Sequence, residues 1–178
     1  EGCIISSVLP TIIKLSNNNF LLEKPINRDW KAVNKDWASN YGHVDLWTKI
    51  DGAEYYIEFK HNWLSNQKIQ IRQDLRRKWE ELDLQVKSLK KAAETEITET
   101  NHCLGIITLP FYQNLNKSKV FNSKPNLDAF IDNIGSELMP KAKYAKLIQF
   151  DNNQIKQSKW VDTNSICYYP GIAICATY

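Results

Sequence analysis

Glycine is scarce in this chain, with six in 178 residues and none clustered, so no glycine-rich loop is available to cradle a nucleotide's phosphates. ATP-driven chemistry and a nucleotide cofactor are therefore not expected. Histidine is scarcer still, with only His43, His61 and His102. A nucleophilic triad would need one of them beside an activated serine or cysteine, and no Gly-x-Ser-x-Gly elbow occurs. Cys3, Cys103, Cys167 and Cys175 show neither paired zinc spacing nor the density of a disulfide scaffold, which leaves reduced, buried thiols as the simplest reading. No apolar run reaches membrane-spanning length and no signal peptide is recognisable. No membrane partner is expected, and a cytoplasmic location is. Internal repeats, low-complexity tails and interdomain linkers are missing as well.

What is present is ordinary globular material, 43% hydrophobic and 24% charged, in a chain long enough to bury a core. One domain over residues 1–178 is expected, and a start at Glu1 rather than Met is compatible with a longer parent. The formal net charge of +3 is too small to indicate nucleic acid by itself, so the placement of charge has to carry that argument.

The most specific stretch is Gly42 to His61. Val44, Leu46 and Ile50 alternate with polar or bulky residues, Tyr55, Ile57 and Phe59 repeat the pattern, and Asp51-Gly52 between them is a strong two-residue hairpin signal. With Asp51 and Gly52 as the central turn residues, Ile50 faces Ala53, Lys49 faces Glu54, Asp45 faces Glu58 and Lys60 faces His43. Opposed residues share a face with Cβ atoms roughly 5 Å apart. Asp45, Glu58 and Lys60 therefore converge, whereas a one-residue slip would part the two acids.

Opposed carboxylates repel unless a cation lies between them. Mg2+ or Mn2+ is the natural candidate, because such ions take carboxylate, carbonyl and water oxygens. The Phe59 backbone carbonyl could add another oxygen, and Lys60 could orient an attacking water or neutralise charge on a phosphate. A solvated hairpin face is the competing reading, with Lys49, Glu54, Glu58 and Lys60 alternating charge toward water. It accounts for Lys49 opposite Glu54, but poorly for Asp45 opposite Glu58, and leaves Trp47 and Tyr56 on that face unexplained.

Asp45, a short turn, then Glu58-Phe59-Lys60 ending an apolar strand resembles the core of the PD-(D/E)XK nuclease superfamily, which includes many restriction endonucleases, Holliday-junction resolvases and phage exonucleases. The Gly42-x-x-Asp45 approach is similar to its resolvase-like members. The resemblance implies that Asp45 and Glu58 bind the metal and that Lys60 assists the nucleophile. It implies a restriction-endonuclease-like core, an α/β fold with a mixed central sheet flanked by helices, ordered helix, three strands, helix, strand. The motif spans about twenty residues, and the order of elements extends the match over residues 1–150. Val44 stands where a proline often precedes the aspartate. Many members carry a glutamate on the first helix, for which Glu1 is the best-placed candidate. Gln67 or Gln70 could match the glutamine that some carry after the lysine, although ordinary helix surface explains both equally well.

On this reading the chain is a Mg2+- or Mn2+-dependent endonuclease, with DNA favoured over RNA only through the resemblance. The alternative is a non-catalytic nucleic-acid-binding or protein-interaction module on the same fold. A homodimer would permit double-strand cuts, but no interface is legible.

After the hairpin, Ser65 can cap a helix running to about Ala93, with Leu75, Trp79, Leu82, Val86 and Leu89 on one face. Lys68 and Arg72 in its first half are candidates for phosphate contact, while Lys87, Lys90 and Lys91 would complement the dipole in its last turns. Arg76, Arg77 and Lys78 could pair with Glu80, Glu81 and Asp83. Trp47 could wall the site or touch a nucleotide, although core packing is the default for such rings. His61 and His43 flank the hairpin and would border the metal. Arg28-Asp-Trp30-Lys31 and Lys35-Asp-Trp37 interleave rings with charge.

Elsewhere, Ile4 to Ile13 suggests helical material that Pro10 should break or kink, and Cys103 to Leu109 reads as a buried strand bounded by Pro110. Residues 112–126 read as a long loop, Leu127 to Met139 as a helix, and Ala145 to Phe150 as a strand. Strands at 166–169 and 172–176 would form a closing hairpin around Pro170-Gly171.

Overall fold

Asp51 and Gly52 both adopt left-handed backbone, with φ of 50° and 83°, as a tight turn matched to strand twist requires. They join β2 (Tyr41–Ile50) to β3 (Ala53–His61). The antiparallel pairs run Ile50 with Ala53, Lys49 with Glu54, Thr48 with Tyr55, Trp47 with Tyr56 and Leu46 with Ile57, the register that the turn dictates.

These coordinates come from a computed structural model, which describes residues 2–27, 41–65, 73–96, 101–114, 144–149, 157–160, 165–168 and 171–178. The remaining elements are α1 (Gly2–Ser16), β1 (Phe20–Asn27), β4 (Leu64–Ser65), α2 (Gln73–Glu96), β5 (Asn101–Asn114), β6 (Tyr144–Gln149), β7 (Gln157–Trp160), β8 (Ser165–Tyr168) and β9 (Gly171–Thr177). Antiparallel β1, β2 and β3 together with parallel β4 and β5 make the sheet mixed, and the class is α/β. Among the described residues no helix is long and apolar enough to cross a membrane.

The chain divides into two compact units. The first holds residues 1–60, 77–106 and 176–178, with strand order β1, β2, β3, β5. Its helices cover opposite faces, because neighbouring residues of one strand point opposite ways. Ile5, Val8 and Ile12 of α1 pack with Leu46, Ile57 and Phe59, whereas Val86, Leu89 and Ala92 of α2 pack with Tyr56, Val44 and Cys103. The second unit holds residues 61–76 and 107–175. There β4 runs parallel to the far half of β5, and β8 lies antiparallel to β5 and β7.

Several expectations need correction. Ser65 does not cap α2: Leu64 and Ser65 pair with Phe111 and Tyr112 as a strand, and the helix starts at Gln73. It runs on to Glu96, so its last turn holds no basic residue, and Lys87 instead pairs with Asp83 at 2.9 Å. Arg77 and Glu81 are 4.0 Å apart and largely exposed, a geometry that contributes little. Pro10 interrupts neither α1 nor its packing; one lost backbone bond is offset by the apolar face on either side of it. Likewise β5 continues through Pro110 to Asn114. β8 and β9 are both strands, but β8 pairs with β5 and β7 while β9 pairs with β5 and β6, so the expected closing hairpin does not form among the described residues. Residues 112–114, read as the start of a long loop, are instead the end of β5; the rest of that loop, 115–126, and the helix expected at 127–139 lie outside the described residues.

One further departure shapes the site. Val44 and Leu46 were expected on one face, yet Val44 joins the α2 cluster and Leu46 the α1 cluster. β1 changes face at the same row, since Phe20 packs toward α1 and Ile26 toward α2. Glu23 between them is left-handed, with φ of 51°, which turns the strand over without adding a residue. The β1 to β2 register keeps its count from Phe20 with Thr48 to Asn27 with Tyr41, and skips only Glu23 with Asp45.

Candidate functional site

Asp45 sits at that interruption. Two residues beyond Ile57, the Phe59 N–H donates to Asp45 Oδ2 at 2.7 Å, where a continued ladder would set Phe59 against Val44 and present a backbone carbonyl. A charge-assisted bond of this length is strong, and it ties the Asp45 carboxylate to the middle of Glu58-Phe59-Lys60. Phe59 itself is buried among the α1 contacts, so alternation turns Glu58 and Lys60 to the α2 side with Tyr56. Glu58 is 2% exposed, whereas Asp45 and Lys60 are half-buried. Burying a carboxylate is costly unless it is charge-paired, hydrogen-bonded or ligated.

The row beside this one is a closed network. Trp47 Nε1 donates to Glu54 Oε2 at 3.0 Å, the Tyr56 hydroxyl donates to the same oxygen at 3.1 Å, and Lys24 Nζ donates to that hydroxyl at 3.3 Å. The Lys24 ammonium also lies 4.4 Å from the Trp47 ring centroid and 4.8 Å from that of Tyr56, contacts worth about 0.5–1 kcal/mol each. Trp47 is thus committed to Lys24, Glu54 and the α2 core. The turn in β1 at Glu23 is what brings Lys24 to this face, so its part was not legible from alternation.

In the second unit, His61 Nδ1 lies 3.3 Å from Thr108 Oγ1. His43 is exposed. Glu1, Gln67, Gln70, Lys68 and Arg72 lie outside the described residues, as do the sequences at 28–31 and 35–37. Among the described residues no three His, Cys, Asp or Glu side chains gather into an ion cage. Two carboxylates and a main-chain carbonyl are nevertheless hard oxygen donors, a set that suits magnesium or manganese, with water completing the shell, better than zinc.

Protein-family models, curated proteins and solved structures yielded no match to this chain.

Proposed function

We propose that this chain is a metal-dependent nuclease that hydrolyses phosphodiester bonds, DNA in preference to RNA, through Asp45, Glu58 and Lys60. The observation that carries the reading is the Asp45 to Phe59 hydrogen bond of 2.7 Å, which joins one acid to the backbone between the other acid and the lysine. Asp45, Glu58 and the Phe59 carbonyl would hold Mg2+ or Mn2+, which when bound supplies a Lewis acid and an acidified water. Lys60 orients that water and offsets charge on the phosphate. The element order helix, three strands, helix, strand, with the short β4 added before α2, supports the restriction-endonuclease-like core that the resemblance implies.

A binding module that keeps the fold without catalysis is the second reading. It is favoured by the depth of Glu58, since a carboxylate held wholly by the fold would also be inaccessible to metal.

Plasmid, linear duplex, single-stranded DNA and RNA are each incubated with the protein in manganese, magnesium or EDTA, beside Glu58→Ala and Lys60→Ala. The nuclease reading expects metal-dependent cleavage lost in both variants. Equal inertness of all three proteins on every substrate would leave the binding module as the better account.

A further inference from the structure

β3 ends at His61, and His61-Asn62-Trp63 are pinned within the second unit. Asn62 is buried, its N–H donates to the Thr108 carbonyl at 3.1 Å, and its Nδ2 lies 3.4 Å from Asp74 Oδ2. Its Oδ1 accepts the Trp63 N–H at 2.8 Å, which fixes the main chain from which the indole departs. The rings of His61 and Trp63 meet edge to face, with centroids 5.2 Å apart at 86°. Even so, Trp63 is 43% exposed.

Single exposed apolar side chains are common and by themselves mean little. Trp63 differs in being the largest side chain type, held by a buried asparagine and an imidazole edge while nearly half its surface faces water. Ordering the ring beforehand removes the entropy that a ligand would otherwise have to supply, and an immobilised flat ring suits a flat partner. Trp63 lies two residues beyond His61, whose imidazole it meets.

We infer that Trp63 is a stacking platform for an unpaired base of a single-stranded or frayed nucleic acid. The inference rests on the nuclease reading for its choice of ligand. A base offers a π-face whatever its identity, and the backbone attached to it is anionic, so stacking on Trp63 adds affinity without sequence preference. Paired bases inside a duplex hide their faces, and the platform therefore discriminates unpaired strand from duplex.

The test is fluorescence anisotropy with a labelled dodecamer of deoxythymidine and a labelled linear duplex with G·C-rich ends, in EDTA so that neither is cut, over a series of salt concentrations. Trp63→Ala should weaken single-strand binding about 5- to 100-fold, as loss of one base stack does. Trp63→Phe should recover most of it, and duplex affinity should not move. The slope of affinity against salt should be the same in all three proteins, because the indole neutralises no phosphate. Thermal unfolding of each variant separates loss of the ring from loss of the fold.

If Trp63→Ala binds the dodecamer as wild type does, the platform is overturned, and plasmid cleavage in manganese then judges the nuclease reading separately. If binding depends on Trp63 but no substrate is cut with metal, the platform stands and the nuclease reading falls. If wild type binds no nucleic acid, both fall, and the exposed indole belongs to a protein partner.

Discussion

The carboxylate of Asp45 and the amide of Phe59 form the hydrogen bond on which the candidate site is built, at 2.7 Å across β2 and β3. It separates the contact that Asp45 makes with the sheet from the charge that the proposed site assigns to a cation. Asp45→Asn keeps an oxygen for the Phe59 N–H and loses the charge, whereas Asp45→Ala loses both. In urea denaturation Asp45→Ala should be less stable than Asp45→Asn by about 1–2 kcal/mol, the cost of leaving a donor unpaired. Both should lose manganese binding in titration calorimetry. Equal stability of the two variants would show that the bond contributes nothing to the sheet.

Glu58 is the deepest acid in the described chain, and its burial should be visible as linkage. Glu58→Gln preserves shape and removes the charge, so its melting temperature in EDTA is the reference against which added metal is read. Adding magnesium or manganese should raise the wild-type melting temperature, with about 2.7 kcal/mol gained at a hundredfold excess over the dissociation constant. Glu58→Gln should gain almost nothing. A metal-induced shift of equal size in both proteins would remove Glu58 from the donor set.

The parts of this site that could be read from sequence are those fixed locally. Asp51-Gly52 sets the hairpin register through two left-handed residues as far as the Leu46 and Ile57 pair; the expected pairs of Asp45 with Glu58 and of His43 with Lys60 lie past that point and are not part of the ladder. The spacing of Trp79, Leu82, Val86 and Leu89 gave the buried stripe of α2 for the same reason. The face change at Glu23 was not readable, because a left-handed glutamate has no compositional mark such as glycine or asparagine would give. Lys24 was missed along with it. Trp63 escaped because its anchor, Asn62, depends on Thr108, a partner far along the chain. Ser65 was misread because the pairing of β4 with β5 is equally non-local.

Gly105 of β5 packs directly against Leu82 and Val86 of α2. A Cβ there would fall 2.7 Å from Val86 Cγ2 and 2.8 Å from Leu82 Cγ, and both neighbours are buried, so neither can swing away. Gly105→Ala should cost about 1–3 kcal/mol in urea denaturation, the range for overpacking a core. Combining it with Val86→Ala should cost less than the two separate losses summed, since the second change vacates the space that the first one needs. Gly52→Ala makes a useful contrast. Its new methyl group meets nothing within 4 Å but must sit at a φ of 83°, so its cost, about 1 kcal/mol, comes from backbone alone. Additive losses in the Gly105 pair would mean that β5 shifts rather than that Val86 is crowded.

Cys103 and Cys175 are buried, unbridged thiols, and burial pushes each up to about 11 from an ordinary value of 9.0, with the charge of Lys90 lowering Cys103 in part. A raised value means that the folded chain holds the thiol proton more tightly than the unfolded chain does. The stabilisation this gives is complete below about pH 9 and is lost as pH rises toward 11. The urea midpoint of wild type should therefore fall across that window. Lysines and tyrosines titrate there too, so the informative quantity is a difference: Cys103→Ala and Cys175→Ala should each lower stability at pH 8 yet decline less steeply between pH 9 and 11. At pH 8 a thiol reagent such as 5,5′-dithiobis(2-nitrobenzoate) should label neither position until urea unfolds the chain. Rapid labelling of either thiol in the native protein, or parallel pH profiles in all three proteins, would place these cysteines nearer the solvent than the packing of β5 and β9 allows.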